Sequence, residues 1–231
     1  MRVALYWVPT LRDPLFAAGT AWLGRDAETG AAVPQPEIAG IREMTADARR
    51  YGLHATLRPP MQLATGWEEF CGAAQKAAEG SVPFGLPPLR VCDVDGFLAL
   101  RETGPCPGLQ ELADRCVIFT DKHRLRPGAE ELARRRAAGL TARQDALLEW
   151  FGYPYVLDEW FFHVTLTRRL DAAEMARVRP LAEAHFAAVL DLPRRVEDIS
   201  IFTQMDGDFL IAERVKVGWG VPPPPNPPSR L

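Results

Sequence analysis

Two Asp-Gly dipeptides limit what this chain can become. Asp95-Gly96 separates Phe84 to Cys92 from Phe97 to Arg101, and Asp206-Gly207 separates Arg195 to Thr203 from Phe209 to Val217. A two-residue Asp-Gly connection takes the left-handed backbone of a hairpin turn, so each flanking pair reads as antiparallel strands. Gly52 to Arg58 and Trp160 to Arg168 read as strands without a hairpin partner, and Val3 to Val8, halted by Pro9, as a buried first strand. This pattern predicts an antiparallel or mixed α+β fold. No strand runs into Gly-x-Gly-x-x-Gly or Gly-x-x-x-x-Gly-Lys-Ser/Thr, which excludes a dinucleotide-binding sheet and a P-loop.

Helices fill the intervals. Asp13-Pro14 opens one that runs through Trp22; Gly24 to Pro36 is rich in turns, and Glu37 to Arg50 has weak helical spacing. Three more should start at capping boxes, Thr65 with Glu68, Thr141 with Gln144 and Asp171 with Glu174, where side chain and backbone satisfy each other's free groups. Trp67, Phe70, Cys71 and Ala74 form one expected buried face; Leu147, Trp150 and Phe151 form another, ending at Gly152. These aromatics read as core.

Composition narrows the partners. Of 231 residues 47% are hydrophobic and 25% charged, and the mean hydropathy of −0.12 is that of an ordinary soluble chain. With 27 Lys and Arg against 30 Asp and Glu the net charge is −3, so bulk electrostatics cannot hold nucleic acid. Cys71, Cys92, Cys106 and Cys116 form no Cys-x-x-Cys pair and read as free thiols in a reducing compartment. The apolar run from Val3 to Val8 is too short for a signal-peptide core or a membrane span, so the expected location is the cytoplasm.

The feature that carries chemistry is a repeat. Tyr51-Gly52-Leu53-His54-Ala55-Thr56-Leu57-Arg58 is echoed by Phe161-Phe162-His163-Val164-Thr165-Leu166-Thr167-Arg168. On a strand, residues two apart share a face, so His54 with Thr56, and His163 with Thr165, point one way while Ala55, Leu57, Val164 and Leu166 point into the core. Strands related by a pseudo-twofold axis would bring two imidazoles and two hydroxyls to a site the size of a phosphate. Opening a cyclic phosphodiester needs one group to take a proton from water and one to give a proton to the leaving alkoxide, both suited to histidine. The hydroxyls can donate to the non-bridging oxygens. A metal would need a third ligand, and Asp121 and His123 have no ligand-like spacing to either motif.

The paired His-x-Thr motifs resemble the two-histidine (2H) phosphoesterase superfamily. More narrowly, Arg49 to Pro60, Gly152-Tyr153-Pro154-Tyr155 ahead of the second motif, Ala21 to Asp26 and Ala133-Arg134-Arg135-Arg136 are similar to an uncharacterised branch encoded beside bacterial phosphonate-utilisation genes. The resemblance spans about residues 2 to 217. It implies a bilobal α+β fold with both motifs on central strands lining a cleft, helices outside, and His54, Thr56, His163 and Thr165 as the site. It also implies chemistry on cyclic phosphates, often of RNA ends or small nucleotides; the phosphonate association suggests a small sugar phosphate.

The resulting expectation is one bilobal catalytic domain over 1–217, with motifs around 51–58 and 160–168, a helical insertion at about 107–151, and a flexible Pro-rich tail over 218–231. The activity expected is that of a cyclic phosphodiesterase without metal or other cofactor, with His54 and His163 catalytic and Thr56 and Thr165 on the phosphate. Arg58 and Arg168, close after the motifs, are candidates to hold a substrate phosphate, and Tyr6 and Tyr153 to stack on a base or sugar. Lys122 to Arg126, the strongest basic run, reads as a solvated loop. The partner expected is a small cyclic phosphate or nucleotide; an RNA end is the weaker choice, and neither DNA nor a membrane is indicated. The rival reading is a non-catalytic sensor of a phosphorylated metabolite or RNA end.

Overall fold

The computed structural model describes residues 1–137, 139–205 and 207–218. Along the chain run β1 (Arg2–Trp7), α1 (Pro14–Leu23), α2 (Ile41–Met44), α3 (Ala46–Arg49), β2 (Ala55–Gln62), α4 (Trp67–Glu79), β3 (Phe84–Leu86), β4 (Leu89–Val94) and β5 (Phe97–Glu102). There follow α5 (Pro107–Thr120), α6 (Ala129–Arg136), α7 (Ala142–Phe151), β6 (Val164–Arg169), α8 (Ala172–Leu190), β7 (Arg194–Val196), β8 (Asp198–Gln204) and β9 (Leu210–Lys216). Seven strands form one sheet in the order β4-β5-β6-β2-β1-β8-β9, and β3 pairs with β7 in a second. The named pairings are all antiparallel, so the fold is α+β.

The large sheet is narrowest in the middle. β2 and β6 share one register pair, Ala55 with Val164. Both strands begin at that pair and run in opposite directions, so they part at once. The sheet is thus two halves, β4-β5-β6 and β2-β1-β8-β9, joined at a seam one pair wide. Two indoles tie across it: Trp160 Nε1 donates to the Thr56 carbonyl at 2.7 Å and Trp22 Nε1 to the Leu166 carbonyl at 3.1 Å. Beyond the seam β2 passes through Pro59 and Pro60, which fall in the register gap between Leu5–Arg58 and Val3–Met61 and so deprive no neighbour of a ladder bond.

One apolar cluster underlies both halves. Val3, Leu5 and Trp7 of β1, Leu57 of β2, Val164 and Leu166 of β6 and Ile201 of β8 belong to it, with Leu15, Phe70, Leu112 and Phe186 from α1, α4, α5 and α8. The alternate residues Ala4 and Tyr6 pack instead with Phe202 and Phe209, so β1 divides cleanly between the two faces.

Several expectations move. The helix expected from Thr65 starts at Trp67, where Glu69 reaches back to the Gly66 amide at 3.0 Å. The Thr65 hydroxyl is instead engaged with His123 Nδ1 at 2.7 Å. The boxes at Thr141 and Asp171 form as read. Trp150 is 58% exposed, its place in the core taken by Leu148. Phe84 to Cys92 is two strands, broken at Pro87-Pro88, because β3 leaves the hairpin to pair with β7. The Asp95-Gly96 turn has the left-handed backbone expected, with φ of 47° and 90°. Asp206 and the tail from residue 219 lie outside the described residues. Among the described residues no helix is long and apolar enough to cross a membrane.

Candidate active site

Both His-x-Thr motifs sit on the seam. In an antiparallel pair a local twofold axis runs between the paired residues. The axis at Ala55–Val164 carries His54 onto His163 and Thr56 onto Thr165. Counting one residue either way sets Thr56 opposite His163 and His54 opposite Thr165. The four side chains thus stand on one face of the seam, the axis relating imidazole to imidazole and hydroxyl to hydroxyl. Burial supports this parity: Ala55, Leu57, Val164 and Leu166 are fully buried, whereas the four motif residues are half-buried.

The two imidazoles are held alike. His54 Nδ1 donates to the Gly52 carbonyl at 2.9 Å and His163 Nδ1 to the Phe161 carbonyl at 3.1 Å. A ring nitrogen facing a carbonyl must carry the proton, so each neutral ring keeps its Nε2 lone pair free. Tyr6 lies against His54 with ring centroids 4.1 Å apart, and Phe161 against His163 at 4.7 Å. Burial pushes the His54 pKa down to about 4, opposed by its bond to Gly52 and reinforced by the charge of His163. Burial also lowers His163, opposed by its bond to Phe161 and reinforced by Arg101. Both rings are therefore neutral bases in the free protein at pH 7.

His54, Thr56 and Thr165 line a cavity of about 350 Å³ walled by Tyr6, Tyr51 and Tyr153, with Arg2 and Arg135 also lining it. Burial raises the pKa of Tyr6 and Tyr153, so both phenols keep their protons as donors. Phe161, which lies against His163, lines a second cavity of about 500 Å³ together with Arg101. A larger cavity of about 960 Å³ lies around Trp7, Asp13 and Arg194, contains neither motif, and has its buried charges spent on an Arg194–Asp13 pair at 3.1 Å.

Two of the sequence candidates are placed elsewhere. Arg58 would follow Thr56 on the site face of a regular strand, but the register pairs Thr56 with Tyr6 and Arg58 with Leu5, and that irregularity puts Arg58 opposite a core residue. Its side chain is 1% exposed and binds Asp121 at 3.0 Å, so it cannot reach a phosphate at the motifs. Arg168 is spent as a two-pronged clamp on Glu174, at 2.9 and 2.8 Å, at the start of α8. Tyr6 and Tyr153 do reach the cavity while also packing into apolar clusters. The basic run is only partly a solvated loop, since His123 is buried and Arg124 binds Asp121 at 3.0 Å. Of the two residues weighed as metal ligands, Asp121 is paired with Arg58 and Arg124, and His123 is engaged at Nδ1 by Thr65.

Sequence reading missed Arg101, Tyr51, Arg2 and Arg135. Arg101 sits opposite His163, one step beyond the Leu100–Val164 pair, a relation only register can supply. Tyr51 passes in sequence for a mere apolar lead-in, yet its ring lies 5.4 Å from that of His54.

Residues 56–209 match the family model described as "Protein of unknown function (DUF1045)". The chain is 42% identical over 218 residues to the ribose 1,5-bisphosphate phosphokinase PhnN of Janthinobacterium sp. (strain Marseille), covering 87% of this chain and 47% of that protein. It is 35% identical over 208 residues to the protein of the same name from Laribacter hongkongensis (strain HLHK9), covering 88% and 48%. The chain thus spans about half the length of the curated relatives it matches. Among solved structures, E. coli LigT complexed with NADP+ aligns over 94% of this chain and 98% of that one at 14% identity and TM-score 0.44. Kluyveromyces marxianus Usb1 with uridine monophosphate aligns over 91% and 98% at 16% identity and TM-score 0.42. TM-scores of this size are too low to carry an argument. With residues 56–209, more than half of its length and including the second motif, matched by one family model, the chain belongs to the DUF1045 family.

Proposed function

We propose that this chain is a metal-independent phosphoesterase that opens a cyclic phosphodiester of a small nucleotide or sugar phosphate, in the manner of the 2H superfamily. One observation carries the reading: both His-x-Thr motifs meet at the single pair joining the halves of the sheet, so one local twofold relates two imidazoles and two hydroxyls. One histidine, neutral at Nε2, takes a proton from water as the water oxygen bonds to phosphorus. The other, protonated, gives its proton to the alkoxide oxygen as the old P–O bond breaks. Thr56 and Thr165 donate to the non-bridging oxygens and stabilise the charge gathering there. Because both rings are neutral in the free protein, the acid acquires its proton when the anionic substrate arrives, since a nearby negative charge favours imidazolium.

A sugar phosphate is favoured by the curated relatives, whose name specifies a ribose bisphosphate. Their kinase activity is not assigned to this chain, which covers less than half of them and contains no Walker A sequence. The test is a panel of cyclic nucleotides and ribosyl cyclic phosphates, with and without EDTA. Turnover should persist in EDTA, and His54→Ala and His163→Ala should each cost about 10²-fold or more while the fold is kept. Thr56→Val and Thr165→Val should cost less. Binding without turnover would leave only the sensor, and loss in EDTA reversed by a metal would overturn the metal-free mechanism.

A further inference from the structure

The two cavities flanking the motifs differ in charge. The one lined by Phe161 holds Arg90 and Arg101 but also Asp93, Asp95 and Glu102. The one beside His54 holds Arg2 and Arg135, and Asp47 is the one carboxylate among the described residues lining it. An anionic group on the substrate, other than the reacting phosphate, is therefore better received on the His54 side.

Arg135 stands out by the element that carries it. α6 buries none of its residues. Polar contacts with α7 hold it, Arg136 binding Asp145 at 2.6 Å and Glu149 at 2.9 Å across exposed surface. Such pairs add little to stability, so α6 contributes little to the core, yet it delivers a guanidinium to the cavity wall. That guanidinium lies 5.4 Å from the centre of the Tyr153 ring. Its contact with Glu131, at 2.8 Å, is a half-exposed pair within the same helix, leaving other N–H donors of the guanidinium for a ligand.

We propose that the cavity lined by His54, Thr56 and Thr165 also receives, at its Arg2 and Arg135 wall, a phosphate monoester carried by the same substrate as the reacting cyclic phosphate, and that Arg135, with Arg2, holds it. This rests on the reading of the motifs as a phosphate site. The volume, at the small end for ligand pockets, suits a small sugar with its phosphates, and the protonated phenols of Tyr6 and Tyr153 supply neutral donors for sugar or phosphate oxygens. The preferred substrate is then a small sugar or nucleoside carrying two phosphates, one of them cyclic.

The test compares binding of adenosine 2′,5′-bisphosphate with that of adenosine 2′-monophosphate to the full chain by calorimetry, with turnover of 2′,3′-cyclic AMP measured on the same samples. Wild type should prefer the bisphosphate by roughly tenfold or more, the scale of one charge-assisted guanidinium–phosphate contact. Arg135→Ala should bring that ratio close to one, Arg135→Lys should keep part of it, and Arg134→Ala, an exposed neighbour not lining the cavity, should leave it in place. Added salt should erode the preference. A wild-type ratio near one, or an unchanged ratio in Arg135→Ala, overturns the subsite even if cyclic AMP is turned over. A preference that depends on Arg135 without any turnover supports the subsite and counts against the phosphoesterase reading.

Discussion

Acidification should reveal the burial of His54 as a loss of stability. Its pKa is held at about 4 in the folded chain, against 6.5 for an ordinary histidine. Above pH 6.5 the ring is neutral folded or unfolded, and it contributes no pH dependence. As pH falls below 6.5 the unfolded chain takes up a proton that the folded site refuses until about pH 4, so stability drops across that window. At pH 5 the linkage amounts to about 2 kcal/mol, which shifts a urea midpoint by on the order of 1 M. Urea unfolding followed by tryptophan fluorescence at pH 7.5, 6.5, 5.5 and 5.0 would compare wild type with His54→Gln. Carboxylates and His163 titrate in both proteins, so the difference between the curves isolates His54. Wild type should lose about 2 kcal/mol more than the variant between pH 7.5 and 5. Parallel curves would refute the reasoning, because they would mean that the folded ring accepts its proton as freely as the unfolded one.

Three further outcomes follow from the geometry. With both histidines lowered, kcat/KM, which reports the free enzyme, should be bell-shaped with its optimum on the acid side of pH 6.5, while kcat, measured with the phosphate bound, should peak at higher pH; a kcat/KM optimum above pH 7 would contradict this. Trp160→Phe removes the indole bond to the Thr56 carbonyl and should cost about 1 kcal/mol in thermal or urea unfolding together with a fall in kcat, and unchanged stability would mean that the tie across the seam is idle. Arg58→Met should cost about 3 kcal/mol, the low end for a broken buried pair because Asp121 keeps Arg124, with KM little changed in the folded fraction; a raised KM at full stability would return Arg58 to the phosphate site.

What the sequence made legible follows from the range of the interactions involved. The Asp-Gly turn at 95–96 and the capping boxes at Thr141 and Asp171 are satisfied within three or four residues, and they form as read. The side-chain parity within each motif is equally local, and the burial alternation at His54 to Leu57 and His163 to Leu166 follows it. Arg58 and Arg168 could not be placed in this way. A register irregularity against β1 decides which face Arg58 takes, and the carboxylate of Glu174 on the next helix captures Arg168. Arg101 enters through pairing with β6, and Arg135 through the packing of α6 over a cavity more than seventy residues from His54 in sequence. The division of Phe84 to Cys92 depended on β7, a partner more than a hundred residues away.

The one-pair seam also makes the site tolerant of change in an uneven way. Strand parity has two values, and at this seam a single pair sets it for both motifs. Deleting one residue between Phe161 and Thr165 would turn part of the second motif to the core and expose apolar residues in its place. A deletion between Leu53 and Thr56 would do the same to the first. By contrast, the helices and loops between Gln62 and Trp160, outside β4 and β5, can change in length without altering the relation of the four side chains, provided that Ala55 and Val164 still pair. Length variation among related chains should therefore gather in the helices and loops of that excursion, α4 to α7 included, and avoid the few residues on either side of the seam.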